Sequence, residues 1–98
     1  MESILQADRE SCFLCGMNAS FEPLDAHHVF GGANRKLSEK YGLKVYLHHR
    51  RCHIFGSESV HQNAETSGML KAHAQMIAMN LYGWSIEEWL KMFGKNYL

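Results

Sequence analysis

The stretch LDAHHVFGG, residues 24–32, decides how the rest of the chain is read. Two adjacent histidines, His27 and His28, follow Asp25 and precede the glycine pair Gly31–Gly32. Neighbouring side chains on a strand point to opposite faces. A short strand from Leu24 to Phe30, broken by the glycines, therefore gives the two imidazoles different surroundings and different tasks. Further on, Leu43, Val45 and Leu47 alternate with Lys44, Tyr46 and His48, which is strand period. Residues 33–42 are polar and read as a loop with a helical turn. Two short strands joined by such a loop predict an antiparallel pair.

The pattern then turns helical. Residues 49–55 read as the start of a helix, interrupted over Gly56–Ser59. From about Ala64, the apolar positions Leu70, Ala74, Ile77, Ala78 and Leu81 fall at helical spacing. Asn63 is the expected N-cap and Gly83 the expected stop. Ser85-Ile-Glu-Glu88 has the capping-box pattern of a last helix, with Trp84 and Trp89 at the two staple positions and Gly94 at its end. The methionines and tryptophans of this third read as core, and His73 as structural or surface. The expected fold class is α+β: one domain over 1–98, with a small two-strand core and a helical buttress over 64–98.

A chain of 98 residues buries only a modest core, and domains of this size often gain from a metal staple. Apolar residues make up 46%, as in a globular protein. No apolar run has the length of a membrane span, and MESILQADRE at the N-terminus lacks the apolar stretch of a secretion signal. No membrane partner and a cytoplasmic setting are expected. The formal net charge is zero, yet Arg35, Lys36, Lys40, Lys44, Arg50 and Arg51 face Glu39 alone between residues 35 and 51. A local basic stretch in a neutral chain suits a polyanion.

The chemistry-bearing residues are concentrated. The three cysteines, Cys12, Cys15 and Cys52, are an odd count and argue against a closed disulfide framework. Six of the seven histidines (His27, His28, His48, His49, His53 and His61) lie between residues 27 and 61. Structural zinc takes four Cys or His ligands in a tetrahedron. Cys12-x-x-Cys15 and His49-x-x-Cys52 share a two-residue gap and together make a Cys3His set for Zn2+. His48 stands as the alternative to His49, because the i,i+4 spacing to Cys52 also works on a helix. That leaves His27, His28, His53 and His61 for chemistry. A single catalytic ion keeps positions open for water and substrate, so three protein ligands and one base suit the set.

A C-x-x-C, a strand ending in His-His, a second short strand, another zinc half-site and then Cys-His…His resemble the HNH endonuclease family with its ββα-metal motif. HHVFGGANRKLSEKYGL, VHQN and the terminal FGKNYL resemble small phage-type, zinc-containing members, similar to the phage recombination-enhancement nucleases. The motif spans roughly residues 12–63. The resemblance implies His28 as general base, His27, His53 and His61 as ligands of a catalytic divalent ion, and Cys12, Cys15, His49 and Cys52 as the structural zinc set. A competing partition exchanges His49 and His53. Histidine-rich ligation favours a transition metal such as nickel over magnesium in vitro, and the resemblance implies magnesium or manganese. Two departures stand out: a histidine replaces one of the family's usual zinc cysteines, and Leu43 and Lys44 stand where the family's middle Asn falls.

The expected function is metal-dependent hydrolysis of DNA phosphodiester bonds, weakly sequence-specific, since no base-reading module is present. Arg35, Lys36, Lys40, Arg50 and Arg51 are the expected backbone contacts. Further expected partners are a second copy of the chain, or a phage or host protein. The alternative expectation is a weak or inactive module of the same fold that binds DNA or a protein.

Overall fold

The computed structural model describes residues 1–20, 22–54, 56 and 59–98. Strand β1, Leu24–His28, pairs antiparallel with β2, Lys44–His48. The register sets Leu24 opposite His48 and His28 opposite Lys44. This is the expected antiparallel pair, with β1 ending at His28, two residues before Phe30.

The connection between the strands is more regular than its polar sequence suggests. A 3-10 turn over Gly32–Asn34 leads into helix α1, Arg35–Tyr41. Gly42 stops α1 at φ 73°, where glycine carries no steric penalty. A Cβ at Gly42 would also run into the Glu2 carbonyl. The N-terminal segment lies close there, with the Ile4 N–H donating to the Gly42 carbonyl at 2.9 Å.

Strand β2 is covered on both faces. Leu43, Val45 and Leu47 are fully buried in the core, as their alternation predicts. Tyr46 and His48, on the other face, are buried as well. The N-terminal segment covers them: the Tyr46 N–H donates to the Gln6 side chain at 2.9 Å, and the Phe13 N–H donates to the Tyr46 carbonyl at 2.8 Å. After β2 the chain enters a π-helical turn, His49–Ile54.

Helices α2, Ala64–Tyr82, and α3, Ile86–Phe93, form the C-terminal layer. Their ends follow the sequence signals. Asn63 accepts from the Thr66 N–H, Ser85 and Glu88 form a reciprocal capping box, and Gly83 and Gly94 close the two helices with positive φ. The inward row of α2 differs from the expected one. Thr66, Leu70, Ala74 and Ala78 are buried, and Tyr82 continues the row by packing against the core. Each follows the last by four residues. Leu81 lies about 100° before Tyr82 on the helix and is 60% exposed. Met69 and Met76 are also exposed, so the expectation of a methionine core holds for Met79 and Met92 but not for these two.

The aromatic cluster ties this layer to β1. Phe30 is buried with its ring centroid 5.3 Å from Trp89, 5.1 Å from Phe93 and 5.2 Å from Tyr97. Trp89 stacks on Phe93 at 3.9 Å and donates its indole N–H to the Lys95 carbonyl. The chain just past His28 is thereby anchored to α3. Trp89→Ala should cost about 3–5 kcal/mol, the range for deleting a buried aromatic; urea unfolding of the two proteins measures it.

Candidate metal centres

Cys12 and Cys15 sit on a tight turn. The Cys12 N–H donates to the Met17 carbonyl and the Gly16 N–H donates back to the Cys12 carbonyl, both at 2.8 Å. Ser11 and Asn18 close the turn as a single antiparallel bridge. The end of β2 supplies His48, and the π-helical turn supplies Cys52. The thiol sulfurs of Cys12, Cys15 and Cys52 and one ring nitrogen of His48 lie within 4.8 Å of one another. His48 Nδ1 is 3.2 Å from the Cys15 sulfur and 4.0 Å from that of Cys52.

This donor set fits zinc. Sulfur ligands at about 2.3 Å from a tetrahedral centre stand just under 4 Å apart, which these side chains reach with small rotations. His48 Nε2 is 2.8 Å from the Asn18 carbonyl. A carbonyl only accepts, so Nε2 carries the proton and Nδ1 turns its lone pair to the thiols. Protonation of the cysteines is uneven. Burial opposes ionisation of Cys12, but N–H groups from Cys15 and His48 outweigh it and bring the thiol down to about 7. Burial pushes Cys52 up to about 12, and the neighbouring Cys12 and Cys15 add to it. Three buried or crowded thiols hold their negative charge together only around a cation.

The expected set Cys12, Cys15, His49 and Cys52 thus changes in one member: His48, not His49, joins the cysteines. Matched two-residue gaps favour His49 only if both halves are turns. Here the strand runs on to His48, and the π-helical turn begins at His49 and carries its ring to Asp25, with His49 Nδ1 2.5 Å from Asp25 Oδ2.

His27, His53 and His61 form a second cluster, with His27 on the face of β1 opposite to the one paired with His48. His27 Nδ1 is 3.2 Å from His53 Nε2, and His61 Nε2 is 3.0 Å from the same nitrogen. His27 comes from β1 and His53 from the π-helical turn. His61 is placed by its own N–H, which donates to the His53 carbonyl at 3.1 Å, just after Val60 has bonded to Cys52. His53 Nδ1 lies 3.0 Å from Asp25 Oδ2. Asp25 keeps its charge, because hydrogen bonds from His53 and His49 outweigh the burial that opposes ionisation. His53 therefore donates Nδ1–H to Asp25, which turns its Nε2 to His27 and His61. Burial, with the neighbouring His53 and His61, lowers His27 to about 3, so its ring is neutral. His61 is lowered too, by burial and by His53. One ring nitrogen cannot bond two close neighbours well, whereas one divalent cation can accept all three.

His27, His53 and His61 border a hollow of about 480 Å³. Adjacent His28 borders it too, although it takes no part in the three-nitrogen cluster. Gly31 and Gly32 form an open part of the rim, and Arg35 and Lys71 face the hollow from α1 and α2. Of the five expected backbone-contacting cations, Arg35 is on this rim. Lys36, Lys40, Arg50 and Arg51 are exposed outside it. Sequence reasoning missed Lys71 and Asp25's double contact. Lys71 stands alone on a distant helix with nothing nearby to mark it. Asp25 is two residues before His27, the same-face spacing of a strand, which was the available signal.

A small ββα-metal-like core with a Cys3His cluster and a second cluster of histidines is therefore in place, in an α+β fold. No helix among the described residues is long and apolar enough to cross a membrane. Searches with family models, of characterised proteins and of solved structures return no match to this chain.

Proposed function

We propose that the protein is an HNH-type endonuclease that hydrolyses DNA phosphodiester bonds with one divalent ion and a histidine base. The observation that carries this reading is the convergence of His27, His53 and His61 nitrogens beside His28 in one open hollow. A purely structural metal protein has no use for a second cluster opening on solvent with a spare imidazole at its edge. Paired carboxylates, the mark of many other hydrolases, do not border this hollow among the described residues.

The residues divide the work as follows. His28 takes a proton from the attacking water. His27, His53 and His61 would hold the ion (magnesium, manganese or nickel), which would supply Lewis-acid stabilisation of the phosphate and of the leaving 3′-oxygen. Asp25 fixes the tautomer and angle of His53. Arg35 and Lys71 flank the hollow and hold phosphate oxygens on either side of the reacting bond. The two cations on the rim suit backbone phosphates, so contacts fall on the backbone and selectivity for base sequence is weak. Cys12, Cys15, His48 and Cys52 would hold zinc, which would fix the turn from which His53 projects.

Lys71→Ala should weaken DNA binding without changing metal content. Each lost phosphate contact lowers the slope of log affinity against log salt by about 0.9, which anisotropy titrations with duplex DNA at several salt concentrations measure. The function itself is tested by nicking of supercoiled plasmid by zinc-loaded protein. Cleavage should appear on adding magnesium, manganese or nickel and stop with EDTA.

A further inference from the structure

The chain lacks the asparagine that, by the resemblance above, falls at the start of the second strand and holds the loop carrying the base. Lys44 occupies the first position of β2 and lies directly opposite His28. Two residues of α1 stand between them. Ser38 is fully buried, accepts the Phe30 N–H at 3.0 Å and donates its hydroxyl to the Phe30 carbonyl at 2.8 Å. Its own carbonyl accepts the Leu43 N–H at 2.8 Å, and the Val29 N–H donates to the Leu43 carbonyl at 2.9 Å. One serine therefore pins α1 to the chain two residues past His28 and to the residue before β2.

The next residue, Glu39, points at the base. Glu39 Oε2 is 3.3 Å from His28 Nε2, and Lys44 Nζ holds both Glu39 oxygens at 2.9 and 3.3 Å. We propose that Glu39 is the positioning residue of the general base, set in place by Ser38 and Lys44 in the role left open by the absent asparagine. This rests on the nuclease reading above. An ionised carboxylate only accepts, so the shared proton is on His28 Nε2, and Nδ1 is the nitrogen left to face water. The Lys44 bond, and then the His28 bond, keep Glu39 well ionised.

Two measurements on zinc-loaded protein test this. Nitrogen-15 imidazole spectra of the wild type should find His28 in the Nε2–H tautomer, and Glu39→Ala should abolish that preference while the zinc content and the amide spectrum elsewhere stay unchanged. In cleavage assays Glu39→Ala should lower kcat about ten- to hundred-fold, part of the contribution of a well-placed base, with KM within twofold. Glu39→Gln, which keeps an acceptor oxygen but not the charge, should recover part of the loss. An Nδ1–H tautomer in the wild type, or a Glu39→Ala kcat within twofold of wild type, overturns the proposal. A wild type that cuts no DNA overturns the nuclease reading, and the tautomer then decides the Glu39–His28 pairing separately.

Discussion

His28→Ala should lower DNA cleavage by about a hundred- to ten-thousand-fold, the contribution of a positioned general base. The loss should fall in kcat. His28 borders the hollow but contributes no atom to either metal cluster, so zinc content and affinity for the second ion should stay as in the wild type. Folding should survive as well. His28 ends β1 at the edge of the hollow, and its side-chain partner is the exposed Glu39. His27→Ala, one residue earlier, should behave differently. It removes one of three converging nitrogens, so activity should fall and recover in part at higher metal concentration. Isothermal titration of the second ion, run beside cleavage kinetics, separates the two. Adjacent histidines with one metal-insensitive and one metal-rescued defect would mean that the pair divides base and ligand between them.

Removing zinc should unfold the N-terminal half. The Cys12–Cys15 turn and the π-helical turn meet at these four side chains, and each is short. Structural zinc contributes an apparent free energy on the order of 10 kcal/mol or more at neutral pH, comparable to the whole stability of a small domain. Cys52→Ser should therefore give a protein without tight zinc and without a cooperative unfolding transition. His48→Ala should do nearly the same, whereas His49→Ala should keep one zinc per chain. Cobalt substitution adds a direct readout. A tetrahedral cobalt–thiolate spectrum should persist in His49→Ala and disappear or change in His48→Ala. The reverse pattern would return the fourth ligand to His49.

Much of this arrangement is legible in the sequence where a single periodicity decides. Leu43, Val45 and Leu47 alternate because one face of β2 meets the core, and the caps of α2 and α3 follow from Asn63, Ser85, Glu88, Gly83 and Gly94. His27, His28, His53 and His61 stand out because so few side-chain types bind metal or move protons near neutral pH. Legibility ends where a boundary or a distant contact decides. Whether His48 or His49 turns to the cysteines depends on the residue at which the strand gives way to the π-helical turn, and the i,i+3 and i,i+4 spacings to Cys52 are equally readable. Ser38 and Glu39 look like solvated polar residues within RKLSEKY. Only folding α1 back between the strands brings one to Phe30 and the other to His28. Lys71 reaches the hollow through the packing of α2, which no local pattern encodes. Leu81 misleads because seven residues from Ala74 keeps nearly the same face, while the buried row advances by fours to Tyr82.

The most direct measurement of the central claim is cleavage of supercoiled plasmid by purified, zinc-loaded protein, wild type and His28→Ala side by side. Magnesium, manganese and nickel are supplied in turn, with EDTA as control. The account predicts metal-dependent nicking by the wild type and its near-complete loss in a His28→Ala protein that is equally folded and equally loaded with zinc. Absence of cutting by folded wild type with every metal, or undiminished cutting by His28→Ala, would contradict it.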